Sequence, residues 1–165
     1  MTAASRPDLL LRAAGIGAAA GVVGAAGMVL GEKAEQALTR RPNSYVPGRA
    51  LLTLLGRPPG DDERPRGWNS VMHYGTGAAL GALRGVWSVT GIRGGSASAW
   101  HTMVRLAVDQ TVENATGVGA PPASWPVQEL TVDVLHKAVY SVLTGALADR
   151  LLAPVLASGR GRTSH

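Results

Sequence analysis

From Ala13 to Gly31 the chain runs 19 residues without a charge, and six of those residues are glycine: Gly15, Gly17, Gly21, Gly24, Gly27 and Gly31. As an α-helix this run is about 28 Å long, close to the ~30 Å hydrocarbon thickness of a bilayer. Glycine at this density costs about 1 kcal/mol per residue relative to alanine in a water-exposed helix. In lipid an open backbone costs more, so the helix holds. Gly17–Gly21 and Gly27–Gly31 are four-residue glycine pairs, the spacing that lets a second helix approach closely. The rival reading is a secretory signal, with Arg6 and Arg12 as its basic flank. Against it, the apolar run is long for such a signal. It also continues without a break into Glu32-Lys33-Ala34-Glu35-Gln36-Ala37-Leu38, all good helix formers.

The rest of the chain fits the same environment. Charged residues are 16% of the sequence, below the roughly 25% of soluble domains. Cysteine is absent, which excludes disulfides, thiolate catalysis and Cys-ligated zinc. The net charge is +5, but the arginines are dispersed, with no basic run and no interleaved aromatics. The sequence therefore does not point to nucleic acid, and membrane lipid is the expected surrounding.

Four long helices are expected, at about 7–38, 68–91, 96–115 and 127–156, in one domain with a disordered tail over 157–165. Between the first two lies a connector, Arg41–Gly67, broken by Pro42, Pro47, Pro58, Pro59 and Pro65. Within it Gly48–Leu55 reads as a short interfacial helix, and Asp61-Asp62-Glu63 as a solvated loop tip. The second long helix carries Gly77, Gly81 and Gly85 in tandem, a packing face for the glycines of the first. Arg84, one residue from that face, is expected to reach toward headgroups. Tyr74, Trp87, Trp100 and Trp125 read as interfacial anchors. The third helix carries His101, Arg105, Asp109 and Glu113 at four-residue spacing, one polar stripe. His101 lies toward the opposite end and reads as a packed or interfacial histidine. Gly91–Gly95 reads as a tight turn. The fold class is thus all-α, a four-helix transmembrane bundle with a Pro-rich connector.

If the helices alternate in direction, four helix ends meet on one side. Glu32, Glu35, His73, Asp109, Glu113, Glu129, Asp133 and His136 all fall there. Three readings of this cluster stay open. It is a structural network, in which acids near helix N-termini suit the helix dipole and Arg105 or Lys137 neutralises neighbours. It is a proton- or ion-linked site, as carboxylate–histidine groups inside membranes often are. Or it holds a divalent metal, with Asp133 and His136 at the i, i+3 spacing of di-metal bundles and His73 and Asp109 as further ligands. No cofactor is required by the sequence. No nucleophile elbow, phosphate-cradling glycine loop or H-E-x-x-H element occurs.

The C-terminal third carries Pro121-Pro122-Ala123-Ser124-Trp125-Pro126, then Glu129, Asp133 and His136 opening the last helix. Together with Glu32 or Glu35 ending the first helix, Arg41-Pro42 after it and His73 opening the glycine-spaced helix, this resembles the YagU-like family of small bacterial inner-membrane proteins. The resemblance implies a multi-pass inner-membrane location with cytoplasmic termini, and no particular chemistry. Basic residues alone do not orient the chain. Arg6, Arg12, Arg93, Arg160 and Arg162 stand against Lys33, Arg40, Arg41, Arg49, Arg57, Arg64 and Arg66, the latter mixed with acids. The expectation is therefore an integral membrane protein with a structural or accessory role, not an enzyme, that forms a homo-oligomer or joins a membrane partner. The alternatives are a membrane metalloprotein or enzyme using the cluster, and a soluble or peripheral bundle binding a partner.

Overall fold

The structure is a computed structural model that describes residues 5–60 and 62–157. Asp61 and the tail residues Arg160 and Arg162 lie outside the described residues, as does the rest of the expected tail beyond Ala157. Among the described residues there are five α-helices and no strand: α1 (Arg6–Thr39), α2 (Val46–Leu54), α3 (Arg66–Thr90), α4 (Gly94–Ala115) and α5 (Val127–Leu151). A single 3-10 turn, Pro122–Ser124, lies before α5.

Local sequence explains where these helices begin and end. At the start of α1 the Ser5 hydroxyl accepts the backbone N–H of Asp8 at 3.3 Å, and Pro7 fills a first-turn position that needs no donor. That helix stops at Arg40, whose left-handed backbone (φ 60) turns its N–H back to Gln36. Gly91 (φ +94) closes α3 in the same way, and Gly94 (φ +75) starts the reversal into α4. The connector holds α2, which packs on α3 where Gly48 donates its N–H to the Asn69 side chain at 2.9 Å.

The last helix ends at Leu151, five residues short of the expected Leu156. Pro154 is the cause. Its ring would collide with the carbonyl four residues earlier, and it drives the preceding residue out of helical conformation. From the extended Leu152 the chain turns back, and Leu156 donates its N–H to Val89 at 2.8 Å. Leu152 then joins Ala13 and Val89 in a small apolar cluster, flanked by Leu156. Ala157, expected to open the loose tail, is held in this turn by an N–H bond to Pro154.

Helix α1 packs mainly on α3 and α5, and α4 packs mainly on α5. Along α1 and α3 the contacts run in opposite senses. A Cβ on Gly17 would stand 2.7 Å from the Gly85 Cα, one on Gly21 2.8 Å from the Gly81 Cα, and one on Gly81 2.6 Å from the Gly21 Cα. These are backbone atoms, with no side chain to move aside. The contact of α1 with α5 uses Gly24, which faces Tyr140 and Thr144. The pair Gly27–Gly31 serves no such approach: Gly27 meets only the Leu143 side chain, and a Cβ on Gly31 would meet nothing within 4 Å. That half of the sequence reading is corrected. The helix had already passed its neighbours' backbones by Gly24.

Gly81→Ala is expected to push α1 and α3 apart and to destabilise the fold by about 1–3 kcal/mol or more. Gly15→Ala, where nothing lies within 4 Å, is expected to leave stability unchanged or raise it by up to ~1 kcal/mol. Thermal unfolding of the two variants side by side checks the contrast. Equal melting temperatures would mean the glycine face does not bear on packing.

Candidate functional site

The alternating contacts bring together the C-terminal ends of α1 and α4 and the N-terminal ends of α3 and α5. There a cavity of about 420 Å³ opens. Glu32, His73, Asp109, Glu113, Glu129, Asp133 and His136 all contribute to its lining. Glu35 does not. Its carboxylate turns to Arg41, 3.0 Å away, and accepts the Thr39 hydroxyl at 2.6 Å. The Arg41 hydrogen bond, then the Thr39 one, holds the Glu35 carboxyl below its ordinary range.

At the inner wall of the cavity the charges are paired. The Arg105 side chain is only 3% exposed, and its Nε donates to Asp109 at 2.9 Å. Lys137 lies 3.6 Å from the same Asp109 carboxylate and donates to Asp133 one turn earlier on its own helix. One ammonium thus bridges the carboxylates of α4 and α5. Burying charges is tolerable only when they are paired in this way. Three buried polar atoms around the cavity have no hydrogen-bond partner: Arg105 Nη1, Asp133 Oδ2 and His73 Nδ1.

The side chains expected as divalent-metal ligands are not gathered into one group here. Among the described residues, no three His, Asp or Glu side chains stand where they could share an ion. Asp133 and His136, though three residues apart, do not share a partner. Asp133 bonds Lys137, whereas His136 is in none of these ion pairs. Asp109 is occupied by Arg105, and His73 joins neither pair.

Deeper in the protein the polar character continues. The Arg105 guanidinium sits 4.8 Å above the Tyr140 ring. The Tyr140 hydroxyl donates to the Gly77 carbonyl at 2.7 Å, a carbonyl laid open by the glycine face of α3. His101 is fully buried, its Nε2 donating to Leu80 at 3.0 Å and its ring between Trp87 and Tyr140. Trp87, expected as an interfacial anchor, is half-buried with its ring edge on that histidine.

The opposite end holds a second ionic cluster that the sequence reading missed. Arg84, expected to reach toward headgroups, is fully buried and binds Asp149 of α5 through both terminal nitrogens, at 2.9 and 2.7 Å. The same carboxylate accepts the Ser88 hydroxyl and the Gly94 N–H, each at 2.8 Å. Arg93 donates to the Asp149 and Leu152 carbonyls at the end of α5. One aspartate therefore ties α3, α4 and α5 together. The signal was present in the sequence. Arg84 is a lone charge in the apolar stretch of its helix, and Asp149, beside Arg150, is the first charge after the apolar stretch of the last helix, each a short distance from the same end.

Comparison of the chain with protein-family models, with curated proteins and with solved structures finds no match.

Removing one partner of a buried ion pair costs about 3–5 kcal/mol, because the other charge is stranded. Lys137→Met is expected to destabilise at that level. Adding Asp133→Asn should restore part of the loss, read as a positive coupling in a double-mutant cycle. Asp149→Asn is expected to loosen the other end by a similar amount, visible as faster amide exchange in the last turn of α5. Full retention of stability in both variants would show the pairs to be incidental.

Proposed function

We propose that this chain is a small multi-pass integral membrane protein, a four-helix transmembrane bundle with a structural or accessory role, whose polar end cavity is an ion- or proton-linked site. The distribution of charge between interior and perimeter carries this reading. Between Val71 and Ala148, every charged or histidine side chain of α3, α4 and α5 is buried or half-buried, except Glu129 in the first turn of α5. Arg84, His101, Arg105 and Lys137 are in the interior, together with Ser88, Ser98, Ser141 and Thr144. The perimeter instead presents Val23, Leu30, Leu83, Trp100, Met103, Leu135 and Val142 to the surroundings. A water-soluble domain places these classes the other way round and rarely exposes so many large apolar side chains.

Helix length supports the same setting. Residue counts of 25, 22 and 25 for α3, α4 and α5 give about 33–37 Å each, enough to cross a ~30 Å core. Among the described residues, only α1 is both long and apolar enough to be read as a span by composition. The other three helices fall below that mark because hydropathy averages over the whole circumference, and their polar residues are gathered on the inward face. Charged groups within membranes face the interior and mark ion or proton pathways, which is the chemistry proposed for the cavity. The resemblance to the YagU-like family agrees with an inner-membrane location and cytoplasmic termini.

Alkaline carbonate extraction tests the proposal. The chain is expected to stay in the membrane pellet and to require detergent for purification. Release into the supernatant, or a monodisperse protein without detergent, would overturn the membrane reading and favour a soluble or peripheral bundle.

A further inference from the structure

Helix α2 stands at a defined depth along the bundle. The register of α1 and α3 sets Gly17 against Gly85 and Gly21 against Gly81. Continued toward the cavity end, the same register sets Asn69 opposite Lys33, two residues beyond the uncharged run that ends at Gly31. Asn69 is also where α2 is fastened. Its side-chain oxygen accepts the Gly48 N–H at 2.9 Å, and a Cβ on Gly48 would stand 2.7 Å from the Asn69 backbone nitrogen. Helix α2 therefore crosses the bundle at the level where the apolar run of α1 gives way to charge. Trp68, beside Asn69, is 39% exposed at this level. Tryptophan is a residue type that collects at membrane–water boundaries.

Only part of α2 is used by the bundle. Gly48, Ala50 and Leu52 are buried, whereas Leu54 and Leu55, at its C-terminal end, are 59% and 54% exposed. The turn that follows is fixed. Gly56 takes a left-handed φ of 71 and gives its N–H to Thr53, and Arg57 gives its own N–H to Leu52 at 2.9 Å. This is the pairing by which a left-handed glycine closes a helix, and it holds Arg57 beside the two leucines. Among the described residues the Arg57 side chain makes no hydrogen bond and no ion pair. The loop beyond is tied back to α2, where the Gly60 carbonyl accepts Arg49 Nη2 at 3.1 Å. Over residues 40–67 the sequence carries six arginines against three acids, so the connector has a surplus of positive charge.

We infer that the C-terminal turn of α2 docks an anionic phospholipid of the surrounding leaflet. Leu54 and Leu55 enter the top of the acyl layer. The Arg57 guanidinium takes the headgroup phosphate, an acceptor that its planar fork fits in a charge-assisted pair of hydrogen bonds. A zwitterionic lipid offers the same phosphate, but its ammonium meets the surplus of arginines. An acidic headgroup carries no such opposing charge. Exposed leucines beside an arginine, at the level where a span ends, are the means by which an interfacial helix holds acidic lipid. The inference rests on the membrane setting proposed above and adds to it the class of lipid and the place where it binds.

The chain has no cysteine, so a single fluorophore can be placed on the thiol of a Leu55→Cys variant. The full-length variant is reconstituted into phosphatidylcholine vesicles. These contain a small fraction of lipid spin-labelled near the top of an acyl chain, either phosphatidylglycerol or phosphatidylcholine. Both labelled lipids are expected to quench the fluorophore, phosphatidylglycerol with an apparent affinity about fivefold higher. Salt at about 0.5 M should weaken that preference. Adding Arg57→Gln is expected to reduce the preference to less than about twofold while leaving quenching by phosphatidylcholine unchanged. Adding Arg150→Gln instead, at an exposed position on the last turn of α5, should leave the preference as it was. Circular dichroism checks that each variant is folded. Equal quenching by the two lipids, or a preference that survives Arg57→Gln in folded protein, would overturn the inference. So would an unquenched fluorophore in a chain that stays in the carbonate pellet, since α2 would then lie outside the leaflet although the protein is embedded. Release by carbonate, in contrast, would bring down the membrane reading and this inference together.

Discussion

Two helix backbones come as close as those of α1 and α3 only where both sides lack side chains. Gly17 and Gly21 face Gly77, Gly81 and Gly85, and a methyl group at these crossings would fall within 2.6–2.8 Å of a backbone carbon. Much of the rest of the structure depends on this approach. It fixes α1 and α3 as an antiparallel pair and exposes the Gly77 carbonyl for the Tyr140 hydroxyl. It also leaves Gly24 to receive α5 against Tyr140 and Thr144. The direction of α5 then sets α4, which carries Arg105 and Asp109 to Lys137 and His101 to Tyr140.

Glycine contacts bury little apolar area, so the interior between α3, α4 and α5 is not filled with hydrocarbon. It is filled with polar groups that find one another. Arg84 with Asp149 closes one end, and Arg105, Asp109, Lys137 and Asp133 form a chain of alternating charges at the other. Buried pairs of this kind add little net stability, because desolvation offsets most of the attraction. Their effect is on specificity: any other register of α5 against α3 and α4 would leave Asp149 or Lys137 stranded. The two ends nevertheless differ. At the first, Asp149 accepts bonds from a guanidinium, a hydroxyl and a backbone amide, and its carboxylate is saturated. At the second, the carboxylates outnumber the cations and a cavity remains open, which is why chemistry is assigned there.

Much of this was legible in the sequence, and the exceptions have identifiable causes. The helical class and the approximate limits of the helices follow from the uncharged glycine run, the apolar periodicity and the prolines of the connector. The gathering of Glu32, His73, Asp109, Glu113, Asp133 and His136 follows from counting four helices and alternating their direction. Apolar periodicity runs on to Leu156, but Pro154, whose ring forbids the helix, ends α5 at Leu151. The pair Gly27–Gly31 has the right spacing but lies beyond the crossing, and spacing alone does not say where two helices part. On its own helix Arg84 borders a glycine stripe and has no carboxylate partner, only the Ser88 hydroxyl. The carboxylate is 65 residues away, and only the three-dimensional register of α3 against α5 brings them together. The pairing of Asp133 with Lys137 is likewise a matter of side-chain direction, which helix spacing leaves open.

The central claim is that the apolar perimeter faces lipid while the charges face inward. Trp100 tests it most directly, being exposed on the outer face of α4 one residue before the buried His101. In a variant with Trp68, Trp87 and Trp125 replaced by Phe, reconstituted into vesicles, the account predicts strong quenching of Trp100 fluorescence by phospholipids brominated on their acyl chains. Iodide in the aqueous phase should have little effect. Quenching by iodide with no response to the brominated chains would contradict it.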